Sequence, residues 1–200
     1  VGCSDGRFGA LVREAGHHVT GVDVVKHPDV ADRLDDFVEA DLNAGLPEEV
    51  GTGFDTIVTA DVLEHTVDPE SLLVQLRERL APGGSVLVSV PNFAHWYPRL
   101  RVLSGRFDYD RRGILDRGHV RFFTRRSFER LVHAAGYEVV RRSVVGLPFE
   151  VAERGSGHDG QGGTGEPGGL GSLAGAVDRR AAQLWPTMFG YQFLYELRPA

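Results

Sequence analysis

The chain is short of cysteine, methionine, lysine and long apolar runs, and each shortage excludes something. Cys3 is the only cysteine, so no intrachain disulfide and no cysteine-rich zinc site can form, and the disulfide-stapled secreted scaffold is excluded. A reducing, cytoplasmic setting is expected. No uninterrupted apolar stretch approaches the roughly 20 residues that span a bilayer, so no transmembrane segment is expected. Met188 is the only methionine and the chain opens on Val1-Gly2-Cys3, which gives neither a natural start nor a signal or transit peptide; it reads as a trimmed piece of a longer chain. What is present fits one globular domain: 200 residues, 42% hydrophobic and 25% charged, which sets aside collagen-like, coiled-coil and disordered classes.

Among the 22 basic residues only Lys26 is not an arginine, and the formal net charge of −6 conceals a division. Residues 1–98 hold 6 basic and 17 acidic side chains, net −11, whereas residues 99–142 hold 12 arginines and 5 acids, net +7; residues 143–200 stand at −2. Guanidinium forks suit phosphate and carboxylate groups, so the middle segment reads as an anion-binding region or as a solvated arginine face. The acidic remainder repels a long polyanion, and nucleic acid is not an expected partner.

Hydrophobic periodicity alternates between helix and strand. Phe8, Leu11, Val12 and Ala15 share a helical face closed by Gly16; Val19 to Val25 reads as a buried strand ending at Asp23; helix character from Pro28 to Asp36 precedes a strand at Phe37 to Ala40. The β-branched run Phe54 to Ala60 is the next strand, and Asp68-Pro69 caps a helix carrying Leu72, Leu73, Leu76 and Leu80, stopped by Pro82-Gly83-Gly84. Ser85 to Val90 is a strand, Asn92 to Arg121 a loose aromatic and arginine-rich insertion. Thr124 caps a helix with Phe128, Leu131, Val132 and Ala135 on one stripe, and Tyr137 to Val145 is a strand. Residues 155–175 include 10 glycines, a composition for a flexible loop, before a helix at Val177 to Leu184 and a strand at Tyr191 to Leu197. The expected division of one domain is a cofactor half over 1–91, an acceptor-side insertion over 92–123, helix and strand over 124–152, a glycine-rich loop over 153–176, and a terminal helix and strand over 177–200. Strands alternating with helices predict an α/β fold with a mostly parallel sheet.

In such a sheet, ligands bind beyond the carboxyl ends of the strands. Gly2, Ser4 and Gly6 form a small-residue turn entering a helix, which lets backbone approach a ligand and aims amide groups at it. Asp23 stands at the next strand end, where a carboxylate accepts both hydroxyls of a ribose, and Asp41 at the third, positioned for an exocyclic amine of adenine.

These runs carry a specific resemblance. Val1-Gly2-Cys3-Ser4-Asp5-Gly6, Gly21-Val22-Asp23, Glu39-Ala40-Asp41-Leu42, Phe54 to Val58 with Ala60-Asp61-Val62-Leu63-Glu64-His65, and Leu80-Ala81-Pro82-Gly83-Gly84, in that order, resemble a class I S-adenosylmethionine-dependent methyltransferase. The branch is the small-molecule one that includes ubiquinone-type O-methyltransferases. Val90-Pro91-Asn92 and Gly118-His119-Val120-Arg121-Phe122-Phe123-Thr124 are similar to bacterial methyltransferases of sugar and cell-envelope biosynthesis. The resemblance implies a Rossmann-like, doubly wound α/β fold: a mostly parallel seven-stranded sheet with helices on both faces and an antiparallel last strand. It implies S-adenosylmethionine as cofactor and methyl transfer, at oxygen, to a small-molecule acceptor. It places Gly2, Cys3, Ser4 and Gly6 around the methionine end of the cofactor, Asp23 with Val24 at the ribose, Asp41 with Leu42 at the adenine, and Ala60, Asp61 and Val62 beside the sulfonium. Two departures stand out. Ser4 occupies a usual glycine position, and the strand expected before Gly2, with its acidic residue, is absent, which would leave two rows of backbone groups unpaired; residues 1–200 alone are therefore expected to fold poorly.

The implied chemistry is in-line attack on a methyl group already activated by positive sulfur. Positioning supplies on the order of 7 to 11 kcal/mol, and a general base adds roughly 100- to 10,000-fold. Candidate bases are His65, His95 and His119, in that order, each with an alternative role in packing; no metal ligand set is assigned. Trp96, Tyr97, Phe107 and Tyr109 are expected to wall the acceptor side, and Arg99, Arg101, Arg106, Arg111, Arg112, Arg117 and Arg121 to meet a phosphate. An anionic acceptor follows as the expectation: a nucleotide-linked sugar, a polyprenyl-phosphate glycan or an acidic glycan. Two rivals remain at this point. One is an NAD-dependent oxidoreductase, although its fingerprint needs glycine at Ser4; the other is a catalytically silent domain beside a larger biosynthetic enzyme. Oligomeric state is left open.

Overall fold

Short apolar runs bounded by glycine and aspartate form the strands, and the amphipathic stretches between them form the helices. The computed structural model describes residues 1–146 and 169–200. In chain order the elements are α1 (Arg7–Glu14), β1 (Thr20–Asp23), α2 (Val30–Arg33), β2 (Asp36–Glu39), β3 (Phe54–Ala60), α3 (Pro69–Arg79), β4 (Leu80–Pro91), α4 (Trp96–Leu103), α5 (Arg125–Ala134), β5 (Tyr137–Val145), α6 (Gly169–Leu184), α7 (Pro186–Phe189) and β6 (Gln192–Pro199). Single 3-10 turns lie at Glu48–Val50 and Leu63–His65.

β1 and β2 pair in parallel, and β3, β4, β6 and β5 form a second sheet in that order. β3 and β4 are parallel, whereas β6 runs antiparallel to both of its neighbours. The fold is the expected Rossmann-like α/β class with a reversed last strand, but the strands form two sheets, not one. Val1 to Cys3 lie between them: the Val1 nitrogen donates to Val58 O at 2.8 Å, and the N–H groups of Gly2 and Cys3 donate to Val22 O at 2.7 and 3.1 Å.

Helices cover both faces, as the strand alternation requires. Val22 joins the main core with Val86, Val88 and Val90 of β4 and Phe193, Tyr195 and Leu197 of β6, under Leu72, Leu73 and Leu76 of α3 and Phe128 and Val132 of α5. Its neighbour Gly21 faces the other way, where Leu34, just past α2, lies so close that a Cβ on Gly21 would come within 2.3 Å of it. Among the described residues no helix is long and apolar enough to cross a membrane.

Four local expectations change. Phe8 and Leu11 of α1 are 61% and 64% exposed; Gly9 is the helix's buried residue. Pro82-Gly83-Gly84 does not end α3, which stops at Arg79; the triplet bulges within β4, where pairing jumps from Phe54↔Leu80 to Thr56↔Ser85. A Cβ on Gly84 would sit 2.8 Å from Phe54 O, a backbone approach that only glycine accommodates. The insertion is not loose, since Trp96–Leu103 is helical: Pro98 falls in the first turn, where its missing N–H costs nothing. The glycine-rich loop expected over 153–176 lies outside the described residues as far as 168, and from Gly169 the chain is already helical, because Leu170, Leu173, Ala174 and Ala176 favour helix despite the glycines.

Thr124 caps α5 as expected. Its Oγ1 accepts from Ser127 N at 3.2 Å while Ser127 Oγ accepts from Thr124 N at 2.9 Å, a reciprocal capping box. Thr124→Ala should therefore lower stability by about 1 kcal/mol, read from urea denaturation; an unchanged midpoint would contradict that role.

Candidate active site

The loop from Gly2 to Gly6 turns through the left-handed region three times, at Gly2 (φ 66°), Ser4 (φ 49°) and Gly6 (φ 78°). For a serine this conformation is strained, and such strain persists only where the surroundings impose it. Here the imposing group is Asp23: its Oδ2 accepts the Ser4 N–H at 2.7 Å and its Oδ1 accepts the Val25 N–H at 3.2 Å, tying the loop to the end of β1. A Cβ on Gly2 would lie 2.3 Å from Val62 Cγ2, so the loop also rests against the end of β3.

Asp41, two residues past β2, accepts from both the backbone and side-chain nitrogens of Asn43, which fixes a turn. Asp61, directly after β3, is a second strained non-glycine residue at φ 54°. It is pinned from the neighbouring strand β4 and from β6 beyond it: its N–H donates to Ser89 O and Oγ, Ser89 Oγ donates to its Oδ1 at 3.2 Å, and Gln192 Nε2 donates to the same oxygen. Three aspartates thus follow three successive strand ends. Ser4, Val24, Asp41, Ala60 and Asp61 are exposed, Gly2, Cys3, Asp23 and Leu42 half-buried, and Gly6 and Val62 buried. An S-adenosyl nucleoside fits these residues: the Asp23 carboxylate keeps lone pairs for ribose hydroxyls, and the glycine turn leaves room for a close ligand.

Beyond Asp61 the chain turns through Leu63–His65 and meets the segment Gly118 to Arg121. The N–H groups of Val120 and Arg121 donate to Glu64 O at 2.8 and 3.0 Å. His65 Nδ1 bonds Gly118 O at 2.9 Å, and His119 Nδ1 bonds Ile114 O at 3.1 Å. A carbonyl only accepts, so each Nδ1 carries its hydrogen and each Nε2 keeps a lone pair. The two rings stand edge to face with centroids 4.8 Å apart. Between the segments, Glu64 is 1% exposed and, among the described residues, neither carboxylate oxygen has a hydrogen-bond partner. Desolvation, reinforced by the negative Asp61, pushes the Glu64 carboxyl up to about 8. Burial likewise lowers His119, while His65 remains exposed.

The structure brings His65 and His119 together and leaves His95 elsewhere. His95 is fully buried, caps α4 by accepting the Tyr97 N–H at Nδ1, and faces Trp96 and Tyr191; among the described residues its Nε2 has no hydrogen-bond partner. Of the expected aromatic wall, Phe107 and Tyr109 do face the cluster's neighbour Phe122, joined by Phe93. Trp96 packs on His95, and the Tyr97 hydroxyl donates to Asp110. Three arginines are internal ties: Arg101 pairs with Asp110 at 2.7 Å, Arg99 reaches Ala94 O, and Arg121 reaches Val67 O. Arg106, Arg111, Arg112 and Arg117 are exposed, and among the described residues they make no side-chain hydrogen bond or ion pair. A separate hollow of about 480 Å³ beside His133, Tyr137 and Ala200 sits at the amino-terminal end of β5, the opposite end of the sheet from these residues.

Sequence reasoning missed Ser89, Gln192 and the burial of Glu64. A serine inside the apolar run of β4 is a weak local signal for the first, and nothing local marks the second.

Such an assembly of strand-end aspartates, strained glycine loop and α/β sheet defines the class I S-adenosylmethionine-dependent methyltransferases. A family profile described as "Methyltransferase domain" matches residues 1–142, and the chain belongs to that family. S-adenosylmethionine is the cofactor of this class, and the dinucleotide reading is set aside. The chain is 31% identical over 99 residues to a ubiquinone biosynthesis O-methyltransferase of Aeromonas salmonicida, a stretch covering 46% of this chain and 42% of the relative. The match therefore spans less than half the length of that curated relative. Among solved structures it superposes on an S-adenosylmethionine-dependent methyltransferase of Mesorhizobium loti (TM-score 0.62, 18% identity, 98% of this chain and 88% of the other). A second is 1,6-didemethyltoxoflavin-N1-methyltransferase of Burkholderia thailandensis, solved with its acceptor and S-adenosylhomocysteine (TM-score 0.59, 19% identity, 100% and 69%).

Burial lowers the His95 imidazole to about 4, below the ordinary value near 6.5. The unfolded chain binds this proton between pH 4 and 6.5 and the folded chain does not, so stability should be complete above about 6.5 and fall as pH drops towards 4. His95→Asn, which retains a capping acceptor, should flatten that limb in denaturation curves taken across the window. An unaltered slope would contradict the assignment.

Proposed function

We propose that the protein transfers the methyl group of S-adenosylmethionine to a hydroxyl of a small anionic acceptor. The observation that carries this reading is the position of the Glu64–His65–His119 cluster immediately beyond Asp61, at the strand end assigned to the sulfonium. Similarity to a ubiquinone biosynthesis O-methyltransferase supports oxygen as the accepting atom. The cofactor supplies a methyl group on positive sulfur, ready for in-line displacement. The chain's residues do the rest. The Gly2–Gly6 loop holds the methionine end, Asp23 orients the ribose, and Asp41 with Leu42 receives the adenine. Phe93, Phe107, Tyr109 and Phe122 exclude water from the acceptor side, and the free Nε2 atoms of His65 and His119 face the proton that the hydroxyl must lose.

The division of labour follows the charge: residues 1–91 hold the cofactor and 92–123 receive the acceptor. Arg106, Arg111, Arg112 and Arg117, exposed and without a side-chain partner among the described residues, are the arginines assigned to its anionic group, of the kind carried by a sugar nucleotide or cell-envelope precursor. A cytoplasmic setting accords with the lone cysteine.

Asp23→Ala should weaken S-adenosylhomocysteine binding roughly tenfold or more in calorimetric titration, the loss expected for hydrogen bonds to a charged group. Unchanged affinity would refute the ribose assignment. Neutralising Arg111 and Arg112 together should raise the acceptor KM about tenfold, in line with losing charge-assisted contacts, while leaving the cofactor KM as it was. An unmoved acceptor KM would rule out the anionic acceptor.

A further inference from the structure

We propose that Glu64, His65 and His119 form a binding site for one divalent first-row transition cation, of the Zn²⁺ or Mn²⁺ kind. One donor atom from each of the three side chains lies within 4.8 Å of the others. Donor atoms around a cation at about 2.1 Å sit roughly 3.4 Å apart, so the trio must draw in by on the order of an ångström, which the exposed His65 ring permits.

Three observations converge on a cation. First, both Glu64 oxygens are buried without a hydrogen-bond partner among the described residues. An isolated buried carboxyl is costly unless something compensates it, and the guanidinium of Arg121, whose backbone N–H bonds Glu64 O, is turned to Val67 O and Val120 O. Second, the imidazoles of His65 and His119 are each oriented by an Nδ1–H bond to a backbone carbonyl, Gly118 O and Ile114 O. This is how metal-binding histidines are commonly held, with the tautomer fixed and Nε2 left to ligate. Third, the two segments that carry the donors are clamped by the backbone bonds from Val120 and Arg121 to Glu64 O, so the donors are held near one another before a cation arrives and only a small further approach is left to it. A Cβ on Gly118 would stand 3.3 Å from the His65 ring, which marks how tightly the segments approach.

Two neutral imidazoles and one carboxylate suit zinc, manganese or iron(II), whereas magnesium and calcium prefer all-oxygen shells. Three protein ligands leave coordination positions open. That such a position receives the acceptor hydroxyl rests on the function proposed above; the site itself does not. With both Nε2 lone pairs on the cation the imidazoles no longer take the hydroxyl's proton as they do in the cation-free site; the coordinated hydroxyl instead releases it to solvent more readily, and the resulting oxygen anion is the stronger nucleophile towards the methyl group.

The test is calorimetric titration of the metal-free protein with Zn²⁺, and separately with Mn²⁺, without cofactor. The expected result is one site per chain, weakened at least roughly tenfold by Glu64→Gln and by His119→Ala, with Mg²⁺ failing to compete. Because those two side chains are buried, His65→Ala, at an exposed position, serves as the variant that keeps the fold: it should show the same loss with an unaltered thermal melt. Equal Zn²⁺ affinity in the parent and in His65→Ala, or no stoichiometric binding in the parent, would overturn the proposal. S-adenosylhomocysteine affinity on the same samples reports on the function independently, so a protein that binds cation but no nucleoside sinks that reading and leaves this one standing.

Discussion

The two backbone hydrogen bonds from Val120 and Arg121 to the Glu64 carbonyl hold together everything on the acceptor side. Together with the bonds from His65 Nδ1 to Gly118 O and from Arg121 to Val67 O, they join the turn after β3 to the segment before α5 and bring His65, His119 and Glu64 into one neighbourhood. With them the Glu64 carboxyl is buried beside two oriented imidazoles, and Phe122, which faces the His119 ring, packs against Phe93, Phe107 and Tyr109. Backbone bonds suit this task because they do not depend on rotamer choice: each donor and acceptor is fixed once the local turn forms.

The strand ends on the other side of Asp61 show a comparable economy. Asp23 stabilises the strained Ser4 and thereby sets the loop, and Asp61 is fixed by Ser89 of β4 and Gln192 of β6. The strand ends therefore present carboxylates whose positions derive from the sheet itself, not from side-chain freedom. Rigid placement of this kind is what methyl transfer needs most, since the reagent is already activated and geometry supplies the larger share of the acceleration.

Much of this was legible in local pattern. The strand Phe54–Ala60, the Asp68-Pro69 cap and the Thr124 cap each depend on residues adjacent in sequence, and each forms as periodicity and capping chemistry dictate. The positions of Asp23 and Asp41 at strand ends follow from the same patterns. What was not legible depends on distance along the chain. Gly118 to Arg121 docks on Glu64 through main-chain groups, which leave no residue signature; glutamate is ordinarily an exposed residue, so nothing flagged its burial. Pro98 disguised α4, and Gln192 reaches Asp61 only because β6 folds back beside β4. His95, Trp96 and Tyr97 stand near the site in sequence, whereas in the fold His95 is buried as the cap of α4, Trp96 packs on it at the surface, and the Tyr97 hydroxyl turns to Asp110.

The central claim is that the cofactor loop and the acceptor cluster face one another across Asp61. The most direct measurement is a crystal structure of the protein with S-adenosylhomocysteine. The expected result has the ribose on Asp23, the adenine at Asp41 and Leu42, and the sulfur turned towards Asp61 with open space between it and the Glu64–His65–His119 cluster. A nucleoside bound away from these strand ends, or a sulfur pointing away from the cluster, would contradict it.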